Sequence, residues 1–159
     1  CILRFFNVCS SDKKNNLGEF HNPETHLIPI IVNKILNNKP FKIYGTNYKT
    51  KDGSCIRDFI HVSDIAEIHY LVLEKINKLN ISKILNCGYN QGKSVLQVAK
   101  EFKRQSSKKV NIIETKRRSN DLIKIIASNN NLKKFINWKP KFNNLGKIVK
   151  SCIVWEKKI

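Results

Sequence analysis

Methionine is absent from this sequence of 159 residues. A natural translation product begins with methionine, whereas this chain opens on Cys1-Ile2-Leu3-Arg4, an apolar stretch typical of the inside of a strand. We therefore expect the sequence to be the C-terminal part of a longer protein.

Long apolar runs are also missing. No stretch approaches the roughly 18 apolar residues of a membrane-spanning helix, and the N-terminus lacks the basic, apolar and small-residue segments of a secretory signal. The five cysteines are an odd number without a Cys-x-x-Cys pair, so neither a disulfide framework nor a zinc-thiolate site is indicated. We expect no membrane partner, and reduced thiols in a cytoplasmic protein. The cysteines are Cys1, Cys9, Cys55, Cys87 and Cys152.

Acidic residues are scarce, because 12 Asp and Glu face 30 Lys and Arg and give a formal net charge of +18. Such a charge raises nucleic acid as a partner, since lysine and arginine release counterions when they neutralise phosphates. Only five of the basic residues are arginines, however, and the 25 lysines are spread along the chain without interleaved aromatics. We expect no nucleic-acid partner; a basic module that binds RNA or DNA stays an alternative.

Hydrophobic residues make up 41% of the sequence, which is enough for one ordinary core. Their spacing predicts strands that alternate with helices and no internal repeat, so we expect an α/β fold. The predicted strands are residues 2–8, 41–44, 83–87 and 110–113, and the predicted helices are about residues 25–36, 63–76, 94–102, 128–135 and 144–155. Ser63 and Ser94 are predicted N-caps, the latter in a capping box with Gln97.

Four polar residues stand in predicted connections that follow strands, where α/β proteins bind ligands. The guanidiniums of Arg57 and Arg118 would together form a fork-shaped clamp for a diphosphate. Asp121 would accept hydrogen bonds from ribose hydroxyls, and Asn7 would bond to a sugar. Each signal alone is weak, because Arg57-Asp58 is also typical of a surface ion pair and Asn7 of the cap of a strand.

The order of six segments is more specific than any single residue. They are LRFFNV (3–8), HNPETHLIP (21–29), IYGTNYKTKDGSCIRDFIHVSDIAE (43–67), ILNCGYNQGKSVLQV (84–98), KRRSNDL (116–122) and NWKPKF (137–142). In this order they resemble the C-terminal half of the UDP-glucose 4-epimerases, a branch of the extended short-chain dehydrogenase/reductase superfamily. The resemblance implies that residues 1–159 form the substrate-binding part of that α/β fold and lack most of its N-terminal Rossmann sheet.

The resemblance also implies an activity and a site. The activity is the interconversion of UDP-glucose and UDP-galactose through a 4-keto sugar, with NAD bound mainly by the N-terminal half and a homodimeric full-length protein. The implied substrate contacts are Asn7 to the UDP-sugar, Thr25, His26 and Leu27 along the sugar and phosphates, Lys42 and Tyr44 in the uracil pocket, Arg57 and Arg118 to the diphosphate, and Asp121 to the ribose. Phe6 and Val8 are implied to lie near the nicotinamide.

Three positions depart from the common pattern of the resembled enzymes. His26 stands where several of them have Asn, which affects contact detail, and Cys87 replaces a common Leu, which changes packing. Ile125 stands at the position whose side-chain size limits the sugar pocket, often Tyr. Isoleucine there implies tolerance of N-acetylated sugars.

Two motifs of the resembled enzymes are missing. The sequence contains no Gly-rich motif to hold the NAD pyrophosphate at a helix N-terminus. The catalytic pair is a Tyr followed four residues later by a Lys; Tyr89 and Lys93 have this spacing, but Gly92 opposes a shared helix. We therefore expect no catalytic residue in this chain and no turnover by the chain alone.

The histidines do not predict a metal site. His21 and His26 are five residues apart across Pro23, with no Asp, Glu or Cys recognised at ligand spacing, so no metal is expected. Another nucleotide-sugar epimerase, dehydratase or decarboxylase of the same superfamily remains the second enzymatic hypothesis.

Overall fold

The computed structural model describes residues 1–79, 81–106, 108 and 111–159, and it confirms the predicted α/β class. The strands are β1 (Ile2–Phe5), β2 (Asn7–Cys9), β3 (Phe41–Tyr44), β4 (Ile56–His61), β5 (Ile84–Cys87), β6 (Gly92–Ser94), β7 (Ile112–Thr115) and β8 (Lys124–Ile125). The helices are α1 (Leu27–Leu36), α2 (Val62–Leu79), α3 (Val95–Ser106), α4 (Asn130–Ile136) and α5 (Leu145–Glu156).

Strand β4 organises the largest sheet. It pairs in parallel with β2 and with β8, and antiparallel with β6. β1 pairs in parallel with β5, and β3 in parallel with β7. The predicted strands do not include β4, β6 or β8. β4 shows no period of two because its last four residues, 58–61, are all buried, and strands of three and two residues are too short to show that period.

The prediction of one buried strand over residues 2–8 is wrong in two respects. The strand breaks at Phe6, where the chain leaves β5 and joins β4. β1 is also largely exposed, with 57% of Ile2 and 48% of Phe5 accessible to solvent. An apolar run predicts a strand, but its burial depends on what packs against it.

The strand predicted at residues 110–113 is displaced toward the C-terminus. β7 covers Ile112–Thr115 and pairs with β3 from Phe41 to Tyr44. Val110, where the prediction began, lies outside the described residues. The pairing matters because it places the loop after β7 beside the end of β3.

The predicted apolar faces of the helices form the core. α1, α3 and α5 contact one another, while α2 packs against α4 and β4. Among the most deeply buried side chains are Ile31 of α1, Phe102 of α3 and Val149 of α5. Among the described residues, no helix combines the length and apolar character needed to cross a membrane.

The two predicted N-caps have different outcomes. The capping box is confirmed, because the Gln97 N–H donates to Ser94 Oγ at 3.0 Å and the Ser94 N–H donates to Gln97 Oε1 at 2.9 Å. Ser63 is not the cap of α2, which begins one residue earlier at Val62. Instead, the Ser63 N–H donates to Nδ1 of His61 at 3.1 Å, so the last side chain of β4 satisfies the start of α2.

Candidate functional site

Two of the cavities on the described surface are lined by Leu27, the first residue of α1. The β3 cavity has a volume of about 440 Å³ and is lined by Thr25, Lys42, Tyr44, Cys55, Arg118 and Asp121, among others. The β2 cavity has a volume of about 710 Å³ and is lined by Phe6, Asn7, Val8, Glu19, His21 and His26, among others. The predicted segment Thr25-His26-Leu27 therefore runs from one cavity to the other.

The guanidinium of Arg118 lies over the Tyr44 ring in the β3 cavity. Alternation along β3 buries Phe41 and Ile43 and exposes Lys42 and Tyr44. The guanidinium carbon of Arg118 is 4.1 Å from the centre of the Tyr44 ring, a cation–π arrangement. An aromatic face and a planar cation thus form one wall of the cavity.

Arg57 and Asp121 meet, but not as a surface pair. The Arg57 guanidinium forms an ion pair with Oδ1 of Asp121, and its Nη1 donates to the Leu122 carbonyl at 2.8 Å. Both side chains are mostly buried, with 13% and 21% exposed. Arg57 lies within β4, and Asn7 likewise begins β2, so the placement of these two residues in loops is wrong. Arg57 fastens the loop that carries Asp121 onto the central strand.

Asp58 has an internal role, so the hypothesis of an Arg57-Asp58 surface pair is wrong. Its carboxylate is fully buried and accepts the backbone N–H groups of Tyr89 at 3.0 Å, Asn90 at 2.9 Å and Ala127 at 3.1 Å. Burial raises the pKa of Asp58, and these hydrogen bonds only partly oppose the rise. The carboxylate joins the loops after β5 and β8 to β4 beneath the site.

The β3 cavity is rich in positive charge. Lys34, Lys39, Lys42 and Arg118 line it together with one carboxylate, Asp121. Sequence reasoning missed Lys34 and Lys39; their position at the end of α1, just before β3, is the signal that could have found them. Several cations around one opening favour a ligand with more than one negative charge.

Cys55 brings a thiol to the β3 cavity without making it reactive. Its side chain is buried, and burial raises the pKa of the thiol although the nearby Arg57 acts in the opposite direction. A neutral thiol is a poor nucleophile.

The β2 cavity has a different character. Phe6 and Val8 are half-buried apolar residues, and Asn7 between them is exposed. Among the described residues that line this cavity there is no lysine or arginine, and Glu19 and His26 lie on its rim. Burial raises the pKa of Glu19, partly opposed by His26. The cavity offers apolar surface, an amide and an acidic rim.

Ile125 lies beside Arg57. It belongs to β8, is half-buried, and stands opposite Arg57 in the parallel register with β4. The structure thus brings the predicted size-limiting residue next to a predicted diphosphate contact.

Tyr89 and Lys93 do not form a catalytic pair. The Tyr89 hydroxyl is buried, donates to Asp64 and accepts the His61 N–H at 3.1 Å. Burial and then the hydrogen bond to Asp64 raise the pKa of Tyr89 far above its ordinary value, the opposite of what a general base needs. Lys93 lies on β6 and not on a helix with Tyr89. Tyr89 is a structural residue.

The expectation that the histidines lack a carboxylate partner is wrong. Nδ1 of His26 lies 2.7 Å and Nδ1 of His21 lies 3.3 Å from Oε1 of Glu19, and Glu24 adjoins both rings. The signal in the sequence is the alternation of Glu and His at positions 19, 21, 24 and 26. In a loop without regular structure, the spacing of residues along the chain does not predict which side chains meet.

Residues 1–88 match the NAD dependent epimerase/dehydratase family. A UDP-glucose 4-epimerase of Azospirillum brasilense is 36% identical over 159 residues, which are 99% of this chain and 46% of that relative. The chain spans about half the length of the curated relatives it matches.

Solved structures are similar over the same extent. A UDP-glucose 4-epimerase of Stenotrophomonas maltophila with bound NAD and formylated UDP-arabinopyranose superposes with a TM-score of 0.93 at 28% identity, covering 98% of this chain and 47% of that one. The UDP-Glc/GlcNAc 4-epimerase of Campylobacter jejuni superposes with a TM-score of 0.81 at 34% identity, covering 100% and 48%. The predicted partial fold of an extended short-chain dehydrogenase is confirmed.

Proposed function

This chain belongs to the NAD dependent epimerase/dehydratase family, and from that premise we propose that it is the UDP-sugar-binding half of a UDP-glucose 4-epimerase. One observation carries the proposal: Arg118 on Tyr44, the paired Asp121 and three lysines surround a single cavity. These groups match the parts of a nucleoside diphosphate, which has a flat base, a ribose diol and two charged phosphates.

The nucleotide occupies the β3 cavity in this proposal. The Tyr44 ring and the β3 backbone contact the uracil. Asp121 accepts hydrogen bonds from the ribose, and the ion pair with Arg57 fixes the position of the Asp121 carboxylate. Arg118 and the lysines bind the diphosphate. Arginine suits this task because its planar donors match phosphate oxygens in pairs.

The sugar points toward the β2 cavity. Because Leu27 lines both cavities, a ligand anchored in one reaches the other past Thr25 and His26. Asn7 offers one amide donor and one acceptor there, and the cavity has room for a hexose to change the face it presents. The binding energy of the nucleotide then holds the sugar while its reacting carbon stays free.

The residues of the β2 cavity fit one end of NAD. Phe6 and Val8 present apolar surface suited to a nicotinamide ring, whereas no described cation of this cavity is placed to hold a pyrophosphate. A nicotinamide held there by Phe6 and Val8 would supply the means to accept a hydride from the sugar and to give it back. The remainder of the cofactor would need contacts supplied from outside these residues.

The paired strands β1 and β5 expose apolar side chains that the described residues leave uncovered. Ile2, Phe5 and Ile84 expose about half of their surface along the β1–β5 ladder. Apolar strands of parallel sheets are normally covered on both faces. We propose that the NAD-binding half packs here, beside the β2 cavity. Turnover, a role in galactose metabolism, a homodimer and a cytoplasmic location stay predictions.

We propose that N-acetylated UDP-hexoses are accepted as well as UDP-glucose and UDP-galactose, because the resemblance gives the position of Ile125 a size-limiting role and isoleucine is smaller than the tyrosine common there. Ile125 itself stands beside Arg57 and lines neither cavity. The similarity to a UDP-Glc/GlcNAc 4-epimerase supports this proposal.

The test is nucleotide binding by the full 159-residue chain, measured calorimetrically with UDP and ADP at low and high salt. We expect UDP to bind at least about tenfold more tightly than ADP and to keep that preference in high salt. If both bind alike and affinity collapses with salt, the site is a general polyanion surface and the nucleic-acid alternative gains.

A further inference from the structure

Four side chains with metal-ligating atoms converge in the loop before α1. Glu19, His21, Glu24 and His26 each offer one such atom, and the four atoms lie within 4.8 Å of one another. The two imidazole rings are 4.9 Å apart between centres. Glu19, His21 and His26 line the β2 cavity, and none of the four residues lines the β3 cavity proposed for the nucleotide.

The spacing of these atoms matches a tetrahedral ion. Zinc binds nitrogen and oxygen ligands at about 2.0–2.1 Å, so tetrahedral ligands lie about 3.3 Å apart. Nδ1 of His26 is 2.7 Å from Oε1 of Glu19 and 3.3 Å from Oε1 of Glu24. Nδ1 of His21 is 3.3 Å from Oε1 of Glu19 and 3.6 Å from Oε2 of Glu24. These distances scatter around the tetrahedral value, and a single ion would take one of the two Glu24 oxygens.

The indole of Trp155 on α5 supports the loop that carries the ligands. The indole N–H of Trp155 donates to the Glu19 carbonyl at 2.8 Å, and Gly18 lies so close to that indole that a Cβ would approach it to 2.4 Å. The Glu24 carboxylate accepts the N–H groups of Thr25 at 2.7 Å and His26 at 2.6 Å. Such outer contacts orient metal ligands.

We propose that Glu19, His21, Glu24 and His26 bind a divalent transition metal ion, with Zn²⁺ the best match. Two carboxylates and two neutral imidazoles balance the charge of the ion. Imidazole ligands favour zinc and its neighbours over Mg²⁺ and Ca²⁺, which take oxygen. Four protein ligands leave no open position, so the ion stabilises the loop and does not act as a catalyst.

The test uses the full chain in a Cys1→Ser background, because the exposed thiol of Cys1 would otherwise compete for metal. Co²⁺ is titrated and followed by the visible absorption of tetrahedral cobalt, then displaced with Zn²⁺. We expect one equivalent to bind, and His21→Gln and His26→Gln each to weaken binding about 100-fold or more, since loss of a ligand exceeds the 10–100-fold cost of losing an outer contact.

The matched control is His69→Gln, which removes a histidine on α2 bonded to the Ile65 carbonyl. It should bind Co²⁺ and Zn²⁺ like the background chain. Zn²⁺ should also raise the melting temperature of the background and the control but not of His21→Gln. No tetrahedral cobalt spectrum, or equal binding by His21→Gln and His69→Gln, overturns the proposal whether or not UDP binds.

Discussion

The two cavities on either side of Leu27 are made of different chemistry. The β3 cavity gathers three lysines and Arg118 around one carboxylate, whereas no lysine or arginine of the described chain lines the β2 cavity. A net charge of +18 is therefore not spread evenly over the places where a ligand fits.

This difference suits the two cavities to different parts of one ligand, a part that is anchored and a part that reacts. Charged, planar groups in the β3 cavity suit a part of the ligand that stays fixed. The apolar walls of the β2 cavity suit a part that must rotate, because apolar contacts, unlike hydrogen bonds and ion pairs, do not fix its orientation. The proposed epimerase needs both properties in one ligand site.

Removing Asp58 should have the largest effect, because its buried carboxylate accepts three backbone N–H groups and ties two loops to the central strand β4. Asp58→Ala would leave three buried N–H groups without an acceptor and should lower the free energy of unfolding by about 3–5 kcal/mol. Urea denaturation measures it. Asp58→Asn keeps one acceptor oxygen, so its free energy of unfolding should fall by less than that of Asp58→Ala. Equal stability of wild type and Asp58→Ala would contradict the proposed role.

Arg118→Ala should affect the β3 cavity alone. A charge-assisted bond to phosphate contributes about 2 kcal/mol, so UDP should bind about 30-fold more weakly by calorimetry. Arg104→Ala, on the exposed face of α3 and paired with Glu101, is the matched control and should bind UDP normally. If both variants bind UDP equally well, the β3 cavity is not the nucleotide site.

Gly18→Ala should affect the β2 rim alone. A methyl group against Trp155 forces the loop to shift, at a cost of about 1–2 kcal/mol in thermal unfolding. UDP affinity should stay unchanged. Gly146→Ala is the control, since its Cβ would meet only side-chain ends at 3.1 Å and cost less. A loss of UDP binding in Gly18→Ala would show that the two cavities are not independent.

The smallest effect is expected from pH. Burial lowers the pKa of His61 below its usual value of 6.5. The unfolded chain therefore takes up a proton first, and the stability contributed by His61 is full above about pH 6.5 and declines as the pH falls toward the folded pKa. Urea midpoints at pH 7.5 and 5.5 should differ less in His61→Asn than in wild type. An equal difference would exclude His61 as the cause.

Local features were predictable from sequence because they depend on neighbours in the chain. The capping box of α3, strand β3 and the end of α1 before Pro40 fall where the spacing predicts them. Arg57 and Asp121 were recognised as functional candidates, but their pairing joins residues 64 apart and needed the fold.

Other features depend on what packs or converges in three dimensions. The exposure of β1 is invisible in its composition, because an apolar strand looks the same whether covered or not. The cluster of Glu19, His21, Glu24 and His26 was not predicted, because these residues lie in an irregular loop, where spacing along the chain does not determine the distance between side chains. Tyr89 shows the reverse, because a catalytic spacing proved to be a buried structural contact.

Hydrogen exchange with UDP and with UDP-glucose tests the division between the cavities most directly. UDP alone should slow exchange at residues 41–45 and 117–122 and leave residues 6–9 unchanged, whereas UDP-glucose should slow exchange in both regions. If UDP alone protects residues 6–9 and leaves the loop around Arg118 unaffected, the nucleotide lies in the other cavity and the account is wrong.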